Sequence, residues 1–175
     1  MQSAASATAR QIWQLLPDLS AKKAFRLTLP NRFIRSATWA GLADANGACT
    51  PRLIDLMVEL ARGKVGLIVT GHAYVSSEGQ ATPRQIGIDR NALVEGLSRM
   101  AGAVQREGGR IFIQLAHGGL RSDAKLTGKQ PAGPFVGQDI LDGIGRQMTV
   151  EDIHGVVEAF AAAALRAKTC ALAFR

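Results

Sequence analysis

At 175 residues, 47% hydrophobic and with a formal net charge of +7, the chain is long enough for one globular domain with a buried core. Its basic residues are dispersed, with no run of five or more and no interleaved aromatics, which argues against nucleic acid as a partner. Cys49 and Cys170 alone give neither a disulfide framework nor a metal-ligand spacing, and no apolar stretch approaches the roughly 20 residues of a membrane span; a reducing cytoplasm and no membrane are the expectation.

Residues 1–23 read as an N-terminal extension: Met1 to Leu16 has no acidic residue and only Arg10 as a base, thin support for a transit peptide and more in keeping with a disordered segment. Arg32 to Thr38 is a short strand candidate. Thr50-Pro51 then opens a helix, because threonine can cap the free N–H groups and proline is tolerated at the first helical position. Leu53, Ile54, Met57, Leu60 and Ala61 recur at helical spacing, and Gly63 is the expected stop. The run Val65 to Thr70 is nearly all apolar, the pattern of a strand buried on both faces. A loop rich in Gly, Ser, Thr and Pro is expected over 71–89. A second helix follows over 91–107, with Leu93, Leu97, Met100, Ala101 and Val104 on one face and Gly108-Gly109 after it.

Ile111 to Leu115 is the third strand candidate. The stretch from Gly118 to Met148 reads as a long loop, and loops of that length in compact domains are often functional. Thr149 caps a third helix, with Asp152 three residues on as a weak capping box. Ile153, Val156, Val157, Phe160 and Ala164 keep helical period to about Lys168. Ala171 to Phe174 is a candidate fourth strand. Three β-loop-α units predict an α/β fold with the three strands parallel, adjacent and in chain order.

Four stretches in this order resemble the old yellow enzyme, or NADH:flavin oxidoreductase, family. They are Leu27-Thr28-Leu29-Pro30-Asn31-Arg32-Phe33, then Val65 to Gly71, then Gly108 to His117, and last the Met148-Thr149 helix start that runs to Arg166-Ala167-Lys168. Each is weak alone; their succession over residues 24–168 is specific. The resemblance implies a partial (β/α)8 TIM barrel of about three βα units, whose complete form typically needs about 250 residues. It also implies FMN as cofactor, NAD(P)H as hydride donor and a small enone-like acceptor. By position it would set Ser36, Ala37 and Thr38 along the flavin after strand one, with Gly71 and His72 facing it after strand two. Gln114 would hydrogen-bond the polar edge of the ring from strand three; without the resemblance, it reads equally as a strand-end residue facing solvent.

Trp39 stands where many members carry threonine or cysteine near the flavin; some branches read Ser-Ala-Thr-Trp here, and this chain resembles those. Leu120 occupies the place of a common arginine, with Arg121 one residue later. After Lys168 the family pattern continues into a strand and a histidine pair, or histidine-asparagine pair, for the substrate. A tyrosine proton donor and the loops that grip the flavin phosphate come later still. Residues 169–175 read instead as a divergent tail, so a truncated barrel without catalytic residues is expected. His117 and His154 are expected to be structural or solvated. Two readings stay open: an FMN-binding oxidoreductase fragment inactive alone, and a non-catalytic relic or protein-interaction fragment. An open sheet edge makes self-association an expectation under either.

Overall fold

The computed structural model describes residues 22–24, 27–135 and 145–171. Most of the N-terminal extension and residues 172–174 of the fourth-strand candidate lie outside them. Strands β1 (Lys22–Ala24) and β2 (Leu27–Leu29) pair antiparallel. The central sheet follows: β3 (Ile34–Arg35), β4 (Leu67–Tyr74) and β5 (Ile111–Ala116), parallel and in the order β3-β4-β5. Helix α1 (Pro51–Arg62) joins β3 to β4, and α2 (Val94–Arg106) joins β4 to β5. The expected parallel, adjacent order is therefore the observed one.

The strand lengths differ from the sequence expectation. Only two residues of the Arg32–Thr38 candidate pair as strand, and β4 runs four residues past Thr70, so the loop expected over 71–89 begins at 75. The cause is pairing: β4 lies between two neighbours, and its hydrogen-bond ladder to β5 continues through Tyr74 opposite Ala116. The expected loop over 118–148 also holds structure. A short helix α3 (Ala124–Thr127) is capped by Asp123, and β6 (Ala132–Gly133) pairs parallel with β7 (Arg146–Gln147).

Paired residues share a face of the sheet. The row Ile68–Ile111 joins a core with Leu53, Met57 and Ala61 of α1 and Leu97, Met100, Ala101 and Val104 of α2. Ile34, paired with Leu67, is 54% exposed on the other face. Helix α4 (Val150–Thr169) fully buries Ala163 and Ala167; of the residues its period suggested, Val156 and Phe160 are half-buried, Phe160 against the core, while Ile153, Val157 and Ala164 are exposed. Its last turn ends on Cys170, which is buried among the core residues with Cys49, although the sequence places it in a tail.

Local signals for helix starts hold. Thr50 Oγ accepts the Leu53 N–H at 3.3 Å, with Pro51 in the first turn. Thr149 and Asp152 form both halves of a capping box, at 3.1 Å and 2.8 Å. Thr149→Ala is accordingly expected to lower thermal stability by about 1 kcal/mol. Asp152 also takes two hydrogen bonds from the Arg146 guanidinium, at 2.5 and 3.0 Å. Arg146, and then the Thr149 N–H, hold its carboxyl well below the usual carboxylate range. A depressed carboxylate contributes stability above its unfolded pKa of about 4 and loses it as pH falls further. Circular dichroism should therefore show acid loss of α4 structure beginning below about pH 4, and Asp152→Asn should flatten that dependence.

Candidate functional site

The bulge in β4 organises the C-terminal end of the sheet. Val69 pairs with Phe112 and His72 with Gln114, so Thr70 and Gly71 together stand opposite Ile113 alone. Glycine inside an apolar strand is the one sequence sign of such a bulge. Thr70 is fully buried; its hydroxyl donates to the Gly71 carbonyl at 2.8 Å and accepts the Gln114 N–H at 3.4 Å.

Beyond the bulge, the strand ends come close to the segment after β3. A β-carbon at position 71 would lie 2.9 Å from the Thr38 carbonyl oxygen and 3.3 Å from the Trp39 Cα. Gly71 thus lets the backbone of Thr38 and Trp39 lie directly against β4. Thr38 Oγ in turn donates to the Ser36 carbonyl at 3.1 Å. Trp39 is 47% exposed and its ring stands over Gly41, whose φ is +63°.

The six residues singled out from sequence therefore gather at one end of the sheet. Ser36, Ala37 and Thr38 follow β3, and Thr38 abuts Gly71. His72 and Gln114 are cross-strand partners. Gly71 and His72 lie within β4 rather than after it, because the bulge lets the ladder resume. Gln114 is exposed, and its amide group has no hydrogen-bond partner among the described residues. Burial pushes the His72 imidazole below the ordinary histidine pKa, which favours the uncharged ring.

His117 directly follows β5, at the same end of the sheet. Its Nδ1 accepts the Gly119 N–H at 3.0 Å, which leaves the proton of the neutral ring on Nε2. The ring fills the place a Gly79 side chain would take, 2.5 Å from such a β-carbon. It also borders a cavity of about 360 Å³ lined by Glu78, Arg146, Met148 and Asp152, which the sequence did not reveal because its walls come from four separate segments. His154 is exposed on α4.

The chain thus brings an exposed amide, with no hydrogen-bond partner among the described residues, and a half-buried imidazole to the bare backbone at Gly71. Comparisons with known proteins bear on this. The chain is 33% identical over 145 residues to an NADH oxidase of Thermoanaerobacter brockii, covering 81% of this chain and 22% of that one. It superposes on an old yellow enzyme homologue from Zymomonas mobilis with a TM-score of 0.77 and 26% identity, covering 87% of this chain and 45% of that one. Morphinone reductase is similar to the same extent, with a TM-score of 0.76 and 25% identity, again at 87% and 45%. The three βα units are thus part of a (β/α)8 barrel, and the chain spans less than half the length of these relatives. With the family model for NADH:flavin oxidoreductases and NADH oxidases matching residues 23–173, the chain belongs to that family.

Proposed function

We propose that the surface formed by Ser36, Ala37, Thr38, Gly71, His72 and Gln114 holds the isoalloxazine ring of FMN, as part of an oxidoreductase that takes hydride from NAD(P)H. When bound, the flavin supplies the hydride-transfer chemistry. The chain's residues bind and orient it. Gly71 keeps the floor flat against Thr38, and the Gln114 amide, across the ladder from His72, would meet the polar ring edge. His72 adds polarity, and its burial disfavours a positive charge there. The pairing of His72 with Gln114 carries this reading, since it brings two residues 42 positions apart to one spot on the barrel end where such folds place their sites.

Lumiflavin, which carries the ring without ribityl phosphate, provides the test. Gln114→Ala is expected to weaken its binding about fivefold to tenfold, the worth of one net hydrogen bond. An unchanged affinity would remove Gln114 from the site.

A second reading, a non-catalytic interaction fragment, is favoured by one observation. Val150, Ile153, Val157 and Leu165 leave an exposed apolar stripe along α4, a surface that favours association. Self-association through this stripe and the open sheet edge belongs to either reading; light scattering reports it directly.

A further inference from the structure

We propose that Thr70 is the positioning residue of the ring platform: its buried hydroxyl holds the β4 bulge and thereby sets His72 opposite Gln114. The inference rests on the flavin reading above, but its structural half stands without it.

A bulge normally weakens a ladder, because one residue loses its partner. Here Thr70 and Gly71 face the single residue Ile113, and the distortion is satisfied from within. The Thr70 hydroxyl spends its proton on the Gly71 carbonyl and its lone pair on the Gln114 N–H. It is completely buried, so no water can take over either bond. A single side chain therefore ties both strands at the point where register changes.

The consequence for the site is geometric. Without the extra residue, pairing would continue from Val69–Phe112 so that Gly71 stood opposite Gln114, and His72 would move to the other face of the sheet, since side chains alternate with period two. The bulge returns the imidazole to the row of Val69 and Phe112, beside Gln114. It also presents the bare Gly71 backbone to Thr38, where a side chain would meet the carbonyl oxygen at 2.9 Å. Both properties assigned to the platform, the flat floor and the paired polar groups, thus depend on the bulge that Thr70 ties.

Valine matches threonine in shape and lacks its hydroxyl; serine keeps the hydroxyl. Amide hydrogen exchange of the free chain, read by NMR, is compared for wild type, Thr70→Val and Thr70→Ser, alongside calorimetric titration with lumiflavin. In Thr70→Val the Gln114 amide is expected to exchange about tenfold faster, with Ile68 and Ile111 before the bulge unchanged, and lumiflavin affinity is expected to fall about tenfold. Thr70→Ser is expected to stay within about twofold of wild type in both readouts. Uniform loss of protection across the sheet would make Thr70 merely structural and overturn the proposal, as would a Thr70→Val chain unchanged at Gln114. If wild type binds no lumiflavin, the flavin reading fails while the exchange data still decide what Thr70 does. Should Thr70→Val not fold, Thr70→Ala makes the same comparison.

Discussion

The 175-residue chain, mixed with FMN, NADPH and an activated enone, is expected to give no turnover above buffer and to bind FMN only weakly. The described sheet has three strands, and the proposed contacts from them reach the ring alone. In the family pattern, the substrate-binding pair, the proton donor and the loops that grip the flavin phosphate follow on later strands. Each charge-assisted hydrogen bond to phosphate is worth roughly 1.5–3 kcal/mol, and each 1.4 kcal/mol is tenfold in affinity. Two or three such bonds missing together move a nanomolar site to micromolar or weaker. FMN and lumiflavin should accordingly bind with comparable affinity, because the six residues proposed for the platform include no lysine or arginine to meet the phosphate that distinguishes them. Calorimetry with both ligands and the loss of NADPH absorbance check the two halves. Nanomolar FMN binding would mean that these residues build a phosphate site of their own; clear turnover would mean that another group has taken the proton donor's role.

Gly47→Val is expected to destabilise the fold by roughly 3 kcal/mol or more, enough to unfold much of a marginally stable chain at room temperature. Gly47 has φ +83°, a conformation that costs an L-residue about 1–2 kcal/mol. A β-carbon there would stand 2.3 Å from the Tyr74 hydroxyl and 2.9 Å from the Gly87 backbone nitrogen. Neither neighbour is free to yield. Tyr74 is buried, and its hydroxyl donates to the Asn46 carbonyl at 3.0 Å, an oxygen that also accepts from Arg90 at 2.5 Å. Gly87 in turn donates its N–H to the Gly47 carbonyl at 2.9 Å. This clamp fastens the loop after β3 to the end of β4, two residues beyond His72, so its failure should also disturb the ring platform. Tyr74→Phe removes only the hydrogen bond and should cost about 1 kcal/mol. In a Tyr74→Ala background, Gly47→Val should do less harm, since the clash with the ring is relieved and only the backbone strain and the contact with the Gly87 nitrogen remain. A Gly47→Val chain melting at the wild-type temperature would show that the loop relaxes away from Tyr74.

These two expectations draw on different sources, and the difference runs through the whole molecule. The first follows from family motifs legible in the residues themselves. The second could not be anticipated, because nothing in Asn46-Gly47 announces that a tyrosine 27 positions later will wedge against it. Gly87 reads in the sequence only as part of the loop expected over 71–89, and Gly47 falls in none of the predicted elements.

What the sequence by itself determined was the local and periodic part. Thr50-Pro51 and Thr149 with Asp152 cap helices through groups three residues apart, so neighbours alone specify them. The apolar spacing of α1 and α2 identified Leu53, Met57, Leu97 and Met100 as core, and alternation of units implied parallel strands in chain order. The same order brought Ser36, Thr38, Gly71, His72 and Gln114 to one end, because parallel strands all deliver their C-termini there. Only the tertiary structure decided how they meet. Whether β4 stops at Thr70 or bulges and continues depends on hydrogen bonds to β5, 44 residues away, and a hydrophobic period says nothing of how many residues stand across the ladder. For α4 the period put Phe160 against the core but also pointed to Ile153 and Val157, which are exposed, while the fully buried residues are Ala163 and Ala167, since a helix buries whatever turn its neighbours reach. Cys170 went from an apparent tail to the core for the same reason: burial belongs to the contact between elements, which no single segment of sequence contains.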